Sequence, residues 1–151
     1  MNLITYVALL FSSFTSVASD PIKAAHDPQP PVGCTSYVEP TLKLTVYTSA
    51  EVEPEYPGGS TALGEFIVKN LVEANLDASV DCNVKIKMII DATGAIKKAV
   101  AIRGDAEVKE PNANEKEVLR VYLKSGNWTP GKCGGNNVAT ETVEAFTPCI
   151  K

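Results

Sequence analysis

The sequence predicts an α+β domain with the order strand, helix, strand, strand, helix, strand: an antiparallel sheet carrying both helices on one face. Three observations predict it. Apolar and polar residues alternate over Leu42–Tyr47 and again, as a hairpin, across Val84–Ile102, the period of a half-buried strand. Two other stretches space their apolar residues at three and four, the period of a helix with one buried face. Two helices flanking a hairpin, with strands at both ends, bury their apolar faces most simply as two layers.

The first strand is read from Leu42, Leu44 and Val46 alternating with Lys43, Thr45 and Tyr47. Pro54-Glu55-Tyr56-Pro57-Gly58-Gly59 ends it, because two prolines fix φ and two glycines are free to turn. Ser60 is placed to cap the next helix, whose core stripe is Leu63, Phe66, Ile67, Leu71 and Ala74. In the hairpin, Val84, Ile86, Met88 and Ile90 lead into Asp91-Ala92-Thr93-Gly94, with Gly94 in a left-handed position, and Ile96, Val100 and Ile102 lead back. The second helix is expected from Asn114, with Glu117 completing a capping box, and Gly126 ends it. Trp128-Thr129-Pro130-Gly131-Lys132 is a second elbow. Val138–Phe146 reads as the last strand, and Glu141 and Glu144 make it polar enough to belong at a sheet edge.

Residues 1–19 read as a signal peptide, with a short apolar run from Leu3 to Phe14 and small residues that place the cut after Ala18 or Ser19. The run falls short of the about 20 apolar residues a membrane span needs. The only positive charge ahead of Asp20 is the terminal amine, so an uncleaved anchor is the rival reading. Residues 20–33 are proline-rich and form an extended tether. Residues 34–151 form the one folded domain, placed in the periplasm or secreted space.

The net charge of −4 gives no electrostatic reason to bind nucleic acid. Four cysteines, Cys34, Cys82, Cys133 and Cys149, are widely spaced in an oxidising compartment and read as two disulfides, with three pairings open. No C-x-x-C pair exists and the single histidine, His26, falls in the tether, so no metal or other cofactor is expected. With no free nucleophile–base pair and no carboxylate pair beside a hydroxyl, no catalytic residues are assigned.

Val52-Glu53-Pro54-Glu55-Tyr56-Pro57-Gly58-Gly59 with Leu63, Phe66, Asn70 and Leu71, then Val84–Asp91 with Gly94, then Trp128-x-Pro130-Gly131-Lys132 with Gly135 and Val138, together resemble the C-terminal domain of the TonB family. The resemblance runs over 46–146. It implies a protein-binding module that takes an extended peptide, such as a segment of an outer-membrane receptor, as an added strand at a sheet edge. Carried over, the partner-binding residues are Tyr56, Pro57, Val138, Thr140, Thr142 and Phe146. The family's membrane anchor and long rod are reduced here to a cleavable leader and a short tether, so the resemblance implies binding more than energy transduction. The alternatives are a secreted inhibitor or structural interaction domain, and an anchored transducer. Pairing of two copies through sheet edges is a further possibility of the fold.

One arrangement of the sheet joins these readings. Its order is hairpin first strand, hairpin second strand, last strand, with the early strand antiparallel to the last. That brings Cys34 to Cys149 and leaves Cys82 to pair with Cys133, and it puts the chain's own strand where a peptide would dock. Lys85, Lys87, Lys97 and Arg103 then project from one sheet face by strand alternation and read as a solvated surface.

Overall fold

The computed structural model describes residues 33–80 and 83–147. The expected signal peptide, residues 20–32 of the tether, Cys82 and Cys149 lie outside the described residues. The elements are β1 (Thr35–Glu39), β2 (Leu44–Ser49), α1 (Gly59–Asn70), a 3-10 turn (Glu73–Asn75), β3 (Val84–Ile90), β4 (Ile96–Arg103), β5 (Ala106–Glu107), α2 (Ala113–Leu123), β6 (Gly131–Cys133), β7 (Asn136–Val138) and β8 (Thr140–Phe146). The α+β class holds. The sheet is mixed, not antiparallel, in the order β1-β2-β8-β3-β4-β5, and β6 and β7 make a separate two-stranded ribbon.

The hairpin is the frame. Val84, Ile86, Met88 and Ile90 of β3 are buried against Leu63 and Ile67 of α1 and Val118, Val121 and Tyr122 of α2. Fully burying each such side chain stabilises the fold by about 1.5–3 kcal/mol. At the hairpin tip Gly94 has φ 88°, and Asp91 accepts hydrogen bonds from the Thr93 and Ala95 N–H groups and the Thr93 hydroxyl. A Cβ on Gly94 would stand 1.9 Å from the Trp128 carbonyl oxygen, so this glycine is demanded twice, by φ and by space.

Several expectations are corrected. Asn112, not Asn114, caps α2; its side chain accepts from the Glu115 N–H while Glu115 accepts from the Asn112 N–H. Asn114 and Glu117 are instead buried under the segment after α1: Asn114 bonds both Asp77 backbone groups, and Glu117 accepts from the Val72 N–H and the Asn75 amide. Ser60 makes no cap, because Gly58 holds that place at φ 90°. Ala74 falls in the 3-10 turn, past the end of α1.

The larger corrections concern β8. It pairs along its whole length with β3, from Val84↔Phe146 to Ile90↔Thr140, and not with the hairpin's second strand. β2 lies on its other side, parallel, joined at Tyr47↔Thr140 by a bond from the Tyr47 N–H to the Ala139 carbonyl. The early strand is therefore the neighbour of the last one, but in the opposite sense to that expected. It also brings an unforeseen hairpin partner, β1, to the outside. Val138 belongs to β7, where it pairs with Gly131.

Inside the sheet, one of the two glutamates of this polar strand, Glu141, is matched on the helix-free face. Glu141 accepts from the Tyr37 hydroxyl of β1 at 2.8 Å and lies 3.9 Å from Lys87 of β3. The sheet curls until Glu39 of β1 meets Lys98 of β4 at 3.4 Å, and Lys98 and Lys87 share Glu107. Beneath this network Val46 and Ile89 are buried, a small second core. The expected solvated lysine face is thus ion-paired at Lys87. Arg103 points to the helix side, where it holds Glu115, and Lys97 pairs with Asp91 at the hairpin tip.

The disulfide joins Cys34 to Cys133, with 6.4 Å between Cα atoms, tying the start of β1 to the end of β6. This overturns the expected Cys34–Cys149 and Cys82–Cys133 pairs. The physical reason is the β1–β2 hairpin: it returns the chain start to the end of β2, where Thr35 pairs with Ser49, and the chain just beyond β2 pairs with the ribbon at Val52 and Lys132.

Candidate functional site

The two elbows meet. Glu55 and Thr129 exchange backbone hydrogen bonds of 3.0 and 2.8 Å, and Val52 and Lys132 do the same at 3.2 and 2.8 Å. Short chain segments that would otherwise leave polar backbone groups unpaired near the core satisfy one another. Gly131 is required at this crossing, since a Cβ there would lie 2.1 Å from the Thr140 hydroxyl.

Their aromatic side chains stack at the end of α2. The Trp128 ring is 4% exposed, and its indole N–H donates to the Ser125 hydroxyl at 2.9 Å, which in turn donates to the Tyr122 carbonyl at 2.7 Å. Tyr56 meets Trp128 edge to face with centroids 5.7 Å apart, and Phe66 of α1 at 5.9 Å. Such pairs add about 0.5–1.5 kcal/mol each beyond burial. Trp128 is a core residue, as the elbow's rigidity suggested.

Beside this stack lies a cleft of about 130 Å³ lined by Pro54, Glu55, Tyr56, Ser60, Leu63, Trp128 and Glu144. Glu144 comes from β8, where it pairs with Ile86 on the helix side. Its carboxylate has no hydrogen-bond or ion-pair partner among the described residues, and burial pushes its pKa up. Two larger, more open hollows lie at β5 and at the start of α2, where Arg103, Glu107, Glu117 and Arg120 are already ion-paired. Among the described residues the one cluster of potential metal ligands is Cys34, Glu51 and Cys133, and both of its sulfurs are in the disulfide.

The six expected binding residues do not form one surface. Tyr56 lines the cleft; Pro57 is exposed and turns the chain into α1. Thr140 is fully buried between Ile90 and Tyr47, and Val138 lies in the ribbon. Thr142 and Phe146 are half-buried opposite Met88 and Val84. What does remain is an edge: among the described residues no strand pairs with β8 on its outer side after Thr140, so Val143–Phe146 has one free edge next to the cleft. Glu144 was visible in the sequence only as an interruption of the strand's pattern, which drew attention to an edge and not to a cleft.

The chain matches no protein-family model, no curated protein and no solved structure.

Proposed function

We propose that the chain is a non-enzymatic protein-binding module of the TonB C-terminal type, working in the periplasm or secreted space. It takes an extended segment of another protein, such as an outer-membrane receptor, as an added strand along Val143–Phe146 of β8. The free outer edge of that half of β8 carries the reading, because unpaired strand groups beside a packed core are a template for main-chain pairing. The start of β8 is taken by β2, Tyr47 pairing with Thr140, so the docked segment is short and its affinity depends on side chains as well as backbone.

Selection from a displayed library of random heptapeptides against the oxidised protein tests this. Selected peptides lose at least about tenfold in affinity when alternate amides on the pairing edge are N-methylated, and keep it when the other set is methylated. Equal tolerance of both sets overturns strand addition.

A second reading has its own observation. Among the described residues the outer edge of β1 is unpaired, with Tyr37 37% and Val38 66% exposed, and antiparallel pairing of two copies there would join their sheets. A concentration-dependent dimer in sedimentation, lost on Val38→Lys, favours it.

A further inference from the structure

We propose that the cleft beside β8 receives one basic side chain, lysine or arginine, from the strand docked along Val143–Phe146, with Glu144 as its counter-ion. This rests on the strand-docking reading above and names the chemistry of the incoming segment.

The anomaly is Glu144 itself. Glu39, Glu115, Glu117 and Glu141 are all shielded from solvent, and each has a basic partner within hydrogen-bond or ion-pair reach. Glu144, half-buried, has none among the described residues, and burial without a partner disfavours its charged form. A cation supplied from outside removes that penalty. Among the described residues no basic side chain lines the cleft, and Glu55 adds a second carboxylate at its rim.

The walls fit the stem of such a side chain. Pro54, Tyr56, Leu63 and Trp128 offer an apolar and aromatic lining for the methylenes of lysine or arginine while the charged head reaches a carboxylate. At about 130 Å³ the cleft is far below the range of about 300–1,000 Å³ typical of small-molecule and cofactor sites. It is the scale of one side chain. Strand alternation sends every second residue of a docked strand to the same face as Glu144, so the geometry of augmentation delivers a side chain there.

The test uses the oxidised, isotope-labelled protein and two small probes, N-acetyl-arginine amide and N-acetyl-norleucine amide, followed by NMR. The arginine probe is expected to shift the Glu144 carboxyl carbon and the Trp128 indole signals and to lower the pH at which Glu144 titrates; the norleucine probe leaves them in place. Glu144→Gln should weaken the arginine response at least about tenfold, and Glu55→Gln by less. Equal responses to the two probes, or an undiminished response in Glu144→Gln with native spectral dispersion, overturns the proposal. Selected peptides that pair along Val143–Phe146 with no preference for a basic residue overturn it too, and leave strand docking standing. An arginine site on a protein for which no peptide pairs with β8 keeps the cation site and overturns strand docking.

Discussion

Trp128 concentrates several demands on a single side chain. Its ring sits in the core beside Tyr56, its N–H is satisfied by Ser125, its carbonyl leaves no room for a side chain at Gly94, and its backbone N–H donates to the Gly94 carbonyl at 2.8 Å. Removing the ring leaves a cavity that rigid Pro-Gly neighbours cannot collapse, so Trp128→Ala should cost about 3–5 kcal/mol. A thermal melt reads this as a fall in Tm on the order of 10 °C or more. A melt that matches the wild type would mean the ring is not part of the core. Burial of this residue was legible in the sequence, because a tryptophan ahead of Pro-Gly has few directions to point. The isolation of Glu144 was not legible, since only the fold shows that none of the described basic residues pairs with it.

Among the elements, α2 shows best how far the sequence could be read. Its stripe of Val118, Val121 and Tyr122 and its capping-box chemistry were legible, but the box begins two residues earlier than expected. Asn112 and Asn114 are each followed by a glutamate at the right spacing, and nothing local distinguishes them. Tertiary contacts decide: Asn114 and Glu117 are drawn under the segment after α1, where Arg120 also donates to the Asn70 carbonyl. The bond from Arg120 holds the Glu117 carboxyl down to about 2, against the cost of burial and with help from Asn75 and Val72. A carboxylate depressed in the folded state stabilises it fully above its ordinary value of 4.5, and the gain fades as pH falls toward about 2. Asp91, where burial is outweighed by bonds from Thr93 and Ala95 and by Lys97, acts in the same window. Denaturant melts between pH 6 and pH 2.5 should therefore show falling stability, with a shallower dependence in Glu117→Gln. An identical slope in the variant would remove Glu117 from the account. The placement of β8 was hidden for a related reason: its two glutamates argue for an edge, and β1, invisible as a separate strand, supplies Tyr37 to one of them, Glu141.

For the whole molecule, the decisive feature is how the N-terminal hairpin closes over the sheet. β2 pairs with β8 at its first residue, Thr140, the curl lets Glu39 reach Lys98, and the disulfide ties Cys34 to Cys133 over a separation of 99 residues. In the chain-entropy picture such a loop contributes about 4–5 kcal/mol. Peptide mapping without reductant should recover Cys34–Cys133, and with it Cys82–Cys149, the one complement left, whose members flank the paired residues Val84 and Phe146 in sequence. Recovery of Cys34–Cys149 would contradict the parallel β2–β8 arrangement. Among the described residues that arrangement leaves the outer side of β8 open over Val143–Phe146, and the functional account stands on it. Amide hydrogen exchange along β8, read by NMR with and without a selected peptide, tests this most directly. The account predicts that alternate amides between Val143 and Phe146 exchange freely in the unbound protein and become protected when the peptide is added, with β1 unchanged. Protection of those amides before any peptide is present, or protection appearing at Thr35–Glu39 instead, would contradict it.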